Sequence, residues 1–163
     1  MKKKFVVSLS LAIVSASLLC VVYLLFVKKT PESAFLKSIC KGSARCFYGT
    51  IERITDGDTL EINGDTVRLA LINAPEKWEP AYEDSKSFVE SICPIGSDVV
   101  VDEDDMQVSR SHRRIIAVVY CGKRQLRNLN EELLEAGYAK VLKDFCERSE
   151  FANEEWAKSY GCG

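Results

Sequence analysis

Residues 54–76 read ITDGDTLEINGDTVRLALINAPE, and the fold turns on how that stretch is parsed. Asn63-Gly64-Asp65 sits near its centre, and Asn and Gly tolerate the positive φ that a two-residue hairpin turn requires. Thr59 to Ile62 before the turn and Val67 to Ile72 after it are rich in β-branched and aliphatic side chains, so the stretch folds back as a hairpin. Upstream, Phe47 to Ile54 alternates apolar and polar residues and adds a strand, which makes a three-strand meander.

Downstream, Glu79 to Cys93 reads as a helix with Tyr82, Val89, Ile92 and Cys93 near one face, ended by Pro94 and Gly96. Val99 to Val101 and Ile115 to Tyr120 are apolar enough for two more strands, separated by the polar stretch Asp102 to Arg114. Asn128 to Ala136 is a short helix that packs Leu129, Leu133 and Leu134 inward, with Gly137 as its stop. A last helix spans about Glu147 to Tyr160. The expected class is α+β: five strands, with one helix after the third and two after the fifth, closed into the five-stranded barrel known as the OB-fold.

The N-terminal composition is different. Phe5 to Val27 carries no charge, and Lys2, Lys3 and Lys4 precede it while Lys28 and Lys29 follow it. At about 1.5 Å per residue, a helix over residues 5–27 crosses the roughly 30 Å hydrocarbon layer. A cleaved signal peptide has a shorter apolar region and a small-x-small site at its end; here Ser15-Ala16-Ser17 lies mid-span. The reading is an uncleaved anchor over 1–29, a juxtamembrane linker over 30–46 that is helical across Ser33 to Ile39, and one OB-fold domain over 47–163. The lysine bias places the N-terminus in the cytoplasm and the domain at the outer face of the cell membrane, with a protein secreted after signal cleavage as the alternative.

Five of the 22 basic residues flank the apolar run, whereas all 24 acidic residues lie beyond it. The body is therefore acidic and not a broadly basic nucleic-acid binder, so any phosphate recognition must be local. Arg110, Arg113, Arg114, Arg124 and Arg127 are the candidates for such a cluster. Cys40, Cys46, Cys93, Cys121, Cys146 and Cys162 form an even set that suggests disulfides, with the pairing open among 15 possibilities. His112 is the only histidine and no C-x-x-C pair occurs, which argues against zinc. Asp102-Glu103-Asp104-Asp105 lacks the spaced ligands and glycine of a metal loop and reads as a solvated turn. Trp78 and Trp156 read as packing residues.

The D-G-D-T turn at Asp56 to Thr59, the strand arginine in Val67-Arg68-Leu69 and the N-A-P-E of residues 73–76 occur in one order, followed by Arg114-Ile115-Ile116-Ala117 and by L-N-x-x-L-x-x-x-G-x-A over residues 129–139. In these motifs the chain resembles the thermonuclease (staphylococcal nuclease-like) family over about Tyr48 to Gly161. The resemblance implies a calcium-dependent nuclease that hydrolyses phosphodiesters of DNA, RNA or both. Asp58 would be the main Ca2+ ligand, with the side chain of Asn73 and the carbonyl of Ala74. Asp56 and Thr59 would stand behind them, ordering water and the turn, and Glu76 would act as general base. Arg68 and Arg114 would grip the scissile phosphate, for which a guanidinium offers bidentate, permanently charged donors.

Two departures accompany the resemblance. Asn73 stands where the family usually carries a ligating aspartate, which keeps an oxygen but removes a charge and so predicts weaker calcium binding. Arg110-Ser111-His112-Arg113-Arg114 replaces the family's D-x-Y-G-R, leaving Arg113 as the fallback phosphate arginine and His112 as a possible substrate contact better read as a surface loop residue. The alternative function is a catalytically degenerate OB-fold module that binds nucleic acid or an envelope protein without cutting. No protein partner is legible.

Overall fold

The computed structural model describes residues 31–108, 114–122 and 125–162. The chain divides into two compact units, 1–39 and 40–163. In the first, helix α1 (Pro31–Ile39) opens on a proline whose missing N–H costs nothing in the first turn, and it ends near Lys37. Ser38 Oγ donates to Phe35 O (2.7 Å). The expected anchor over residues 5–27 lies outside the described residues, and among those described no helix is long and apolar enough to cross a membrane.

The second unit is a closed barrel of five strands: β1 (Cys46–Ile54), β2 (Thr59–Ile62), β3 (Asp65–Leu69), then β5 (Asp98–Glu103) and β6 (Arg114–Cys121). Between β3 and β5 lie the short β4 (Ile72–Asn73) and helix α2 (Tyr82–Ile92). Sheet order is β3-β2-β1-β5-β6, and β3 pairs in parallel with β6 to shut the cylinder. A single strand serves two neighbours here, because β1 pairs with β5 through Cys46–Thr50 and with β2 through Ile51–Ile54. Its register slips between Ile51 and Arg53, a bulge that supplies the bend. The β2–β3 turn carries Asn63 at φ 50° and Gly64 at φ 78°, the double positive φ of the tight hairpin. Closure removes the exposed edges an open sheet of this size would have, and the OB-fold class is that of the structure.

After β6 come β7 (Arg127–Asn128), helix α3 (Leu129–Glu135) and β8 (Lys140–Val141), which pairs with β4. Asn128 caps α3, its side chain accepting from the backbone of Asn130 and Glu131. The core fills the barrel with Leu60, Ile62, Val67, Leu69, Val101 and Val119, and Leu129, Leu133 and Phe151 seal it from the helical side.

Four differences from the sequence reading have physical causes. The expected strand Val67 to Ile72 breaks after Leu69, because Leu71 takes a left-handed conformation (φ 63°) and turns the chain into β4. Helix α2 begins at Tyr82, not Glu79, since Pro80 biases its predecessor away from helical ψ. The expected last helix is instead two 3-10 turns, Lys143–Arg148 and Glu150–Asn153, followed by α4 (Glu155–Ala157) and a π-turn over Lys158–Cys162. Ser149 and Glu154 are extended, so each separates one turn from the next, and the Ser149 side chain caps the second turn by accepting from Phe151 N. Trp156 is 7% exposed and packs as expected, whereas Trp78 is 81% exposed and packs on nothing comparable.

The fourth difference is the acidic run. Asp102, Glu103 and Asp104 are buried, and the run is a structural clamp, not a solvated turn. Asp102 Oδ2 accepts from Lys41 N (2.8 Å), Glu103 pairs with Arg45 (2.8 Å), and Asp105 accepts from Ser43 N (2.8 Å). Asp104 Oδ1 takes the backbone of Met106 (3.0 Å) and Glu150 (3.2 Å). Residues 40–46 are thereby docked on β5, and the compact body starts at Cys40, ahead of Phe47. All six body cysteines are paired, as Cys40–Cys46, Cys93–Cys121 and Cys146–Cys162.

Candidate active site

The turn between β1 and β2 brings Asp56 and Asp58 to one end of the barrel. Asp56 accepts from Asp58 N (3.1 Å), which tightens the turn, and Thr55 N donates to Thr59 O (2.9 Å) beneath it. Gly57 is required by space: a Cβ there would lie 2.0 Å from Ser85 Oγ and 2.7 Å from the Ala74 Cβ. The same crowding sets the Asp turn against the loop that follows β4.

Asp58 is 3% exposed and is fully engaged. Its Oδ2 accepts from Ala74 N (2.6 Å), and its Oδ1 accepts from the Thr59 hydroxyl (3.1 Å) and pairs with Arg68. Its backbone carbonyl accepts from Leu69 N (2.8 Å). Register places Thr59 opposite Arg68 across β2 and β3, so the pairing of carboxylate and guanidinium follows from the hairpin itself. Arg68 also donates to Asn73 Oδ1 (2.8 Å), and Asn73 Nδ2 donates to Ala74 O (3.2 Å).

Burial lowers the pKa of Arg68, Asp56 and Glu76 oppose that shift, and Arg114 adds to it. One further arginine and two acids are thus felt at the Arg68 guanidinium. Arg114 opens β6 beside Thr66 on β3, with its side chain exposed. Glu76 is also exposed, and its backbone N donates to Glu79 Oε2 (2.6 Å). Of the expected site residues, Asp56, Asp58, Thr59, Arg68, Asn73 and Ala74 form one bonded cluster, the exposed Glu76 and Arg114 act on Arg68 electrostatically, and His112 and Arg113 lie outside the described residues. Of the expected basic cluster, Arg110, Arg113 and Arg124 lie outside the described residues, and Arg127 is tied to Glu132 (2.6 Å).

One residue that sequence reading treated only as part of a motif holds the site from behind. Asn130 is 0% exposed; it donates to Ala70 O (2.9 Å) and Ala117 O (3.3 Å) and accepts from Val119 N (3.2 Å). These bonds satisfy the backbone at the sharp turn through Leu71 that delivers Asn73 and Ala74. A cleft of about 190 Å³ opens next to them, with Asn73, Ala74, Pro75 and Glu79 on one wall and Gly137 to Lys140 on the other.

The site joins the carboxylates of the β1–β2 turn to the amide of Asn73 on β4 and to guanidiniums on β3 and β6, all on a closed five-strand OB barrel. The family described as staphylococcal nuclease homologue matches residues 66–159, and the chain belongs to it. An uncharacterized protein of Methanocaldococcus jannaschii is 28% identical over 137 aligned residues, covering 67% of this chain. The match spans 66% of that protein's length, just short of two-thirds.

Proposed function

We propose that the chain is a calcium-dependent nuclease that hydrolyses phosphodiesters of DNA, RNA or both, tethered at the outer face of the membrane through residues 5–27. The observation that carries the reading is the convergence of Asp56, Asp58, Glu76 and Arg114 around Arg68. Asp58, Asn73 Oδ1 and Ala74 O are hard oxygen donors, the type Ca2+ takes, so the donor set fits the ion. When bound, calcium supplies positive charge that polarises the phosphoryl oxygens. Arg68 and Arg114 hold those oxygens as negative charge grows on them. Glu76 takes a proton from the attacking water, a role suited to an exposed carboxylate next to Pro75 that is free to face the solvent side of the phosphate.

A degenerate, non-cutting module is favoured by one observation: Arg68 already occupies Asp58 and Asn73, so an ion must displace it from both. The test is cleavage by the full-length chain in detergent of single-stranded DNA, duplex DNA and RNA, with calcium, with magnesium and with chelator. Cleavage that requires calcium supports the nuclease; a folded chain that cuts none of them at millimolar calcium is the non-cutting module. The tether rests on the uncharged, lysine-flanked run. An alkaline wash that strips the full-length chain from membranes would refute it.

A further inference from the structure

We propose that Trp78 is a stacking platform for an unpaired nucleobase beside the scissile phosphate; this rests on the nuclease reading and extends it to a base subsite. Trp78 is the most exposed of the large apolar side chains among the described residues, at 81%. A tryptophan buries some 150–250 Å² when it packs, so leaving one in water forgoes a large stabilisation.

The backbone enforces that exposure. Glu79 N donates to Glu76 O (2.7 Å), closing a four-residue turn, and Glu79 Oε2 accepts from Glu76 N (2.6 Å), closing it a second time. Tyr82 N then donates to Glu79 O (3.2 Å), fixing the turn to the start of α2. Trp78 is the third residue of that turn and Glu76 is the first. Their Cα atoms are two steps apart, at most about 7.6 Å, a span comparable with one nucleotide of an extended strand. The indole is therefore presented on the rim whose other end carries the candidate base, with Lys77 between them as a cation for an adjoining phosphate.

The surroundings select the ligand. Its chain neighbours Glu76, Lys77, Glu79 and Pro80 are exposed as well and three of them are charged, so among the described residues this segment offers no run of apolar side chains to a protein partner or an acyl layer. A nucleobase needs only the flat face of one ring, and its own phosphates are met by Lys77, Arg68 and Arg114. Because every base has a π-face, the platform discriminates unpaired from paired strands and not one base from another.

The experiment titrates the full-length chain carrying Glu76→Gln, in detergent with calcium, with oligothymidylate and with an abasic oligomer of equal length, reading affinity from the anisotropy of a dye on the oligomer and the state of Trp78 from tryptophan fluorescence. Trp156 is buried, so quenching reports Trp78. Oligothymidylate should quench and bind about 5- to 150-fold more tightly than the abasic strand, the worth of one stacked base. Adding Trp78→Ala should erase the quench and bring the two affinities together, and Trp78→Phe should restore part of the gap. An affinity ratio unchanged by Trp78→Ala, while the unsubstituted chain still cuts oligothymidylate, overturns the platform and leaves the nuclease standing. Neither binding nor cutting of either oligomer overturns both.

Discussion

Two carboxylate-rich stretches in this molecule have opposite fates. Asp56-Gly57-Asp58 lies in a tight turn beside Asn73, Ala74 and the guanidinium of Arg68; Asp56 accepts from the backbone of Asp58, while Asp58 meets Ala74 N and the Arg68 and Thr59 side chains. Asp102 to Asp105 runs off the end of a barrel strand, and its acids are spent chiefly on backbone N–H groups of residues 41–44 and 150. Neighbouring carboxylates thus yield a candidate reaction centre in one place and a clamp in the other. What distinguishes them is what is added to the backbone amides: Asp58 also meets, through Arg68, a cation able to exchange for a ligand, whereas Asp102, Asp104 and Asp105 meet chiefly fixed amides.

The largest expected effect lies at the first stretch. Arg68→Ala removes a phosphate donor, worth about 10²- to 10³-fold in kcat, and leaves Asp58 buried without its cation, at a cost of roughly 3–5 kcal/mol. Both nuclease activity and thermal stability should fall together; loss of stability alone would make the Asp58–Arg68 pair a second clamp and erase the contrast.

At the clamp the two quantities should separate. Asp104→Ala strips the acceptors of Met106 N, Glu150 N and the Gln107 amide, and losing bonds from these part-buried donors costs on the order of 2 kcal/mol. A melting curve lowered by several degrees, with the cleavage rate unchanged well below the transition, is the expected pair of results. A rate that drops tenfold in folded protein would mean that the clamp shapes the site.

Asp102 gives the clamp a pH signature. Burial pushes its pKa up to about 7, with Glu150 and Asp105 adding to the shift and the Lys41 backbone and ammonium opposing it. The folded state therefore holds a proton that the unfolded chain releases near its ordinary value of 3.8. The stability this confers is full below about pH 4 and is lost as pH rises through about 7. Asp102→Asn, which cannot ionise, should melt higher than the parent at pH 8, and the gap should close by pH 4; a gap independent of pH would refute the protonation account.

The smallest effect should come from Asn73→Asp, which gives the first stretch another exchangeable charge. Calcium affinity measured calorimetrically should rise several-fold, on the order of 1 kcal/mol. Unchanged affinity would mean that Asn73 serves Arg68 alone.

The strand set was legible because alternation and the Asn63-Gly64 turn are local signals, and the hairpin alone dictates that Thr59 and Arg68 face each other. The motif order located the Asp58, Arg68 and Asn73 cluster. Closure of the barrel by β3 on β6, the burial of Asp104 and the three-way stitch of Asn130 were not legible, since each depends on partners far away in sequence. Trp78 was misjudged for the converse reason: a tryptophan is read as core by composition, and only the doubly closed turn keeps it out. Gly57 shows the same limit, because its need for hydrogen comes from Ser85 and Ala74 and not from its own φ.

The central claim is that Glu76 and the arginines around Asp58 cut phosphodiesters. The direct measurement is the calcium-dependent initial rate of single-stranded DNA cleavage by the full-length chain and by Glu76→Gln, both shown to melt at the same temperature. The account predicts turnover by the parent and a loss of at least about 10²-fold in Glu76→Gln, the scale of one general base. Equal rates in the two would contradict it, and the barrel end would have to be read as a binding surface.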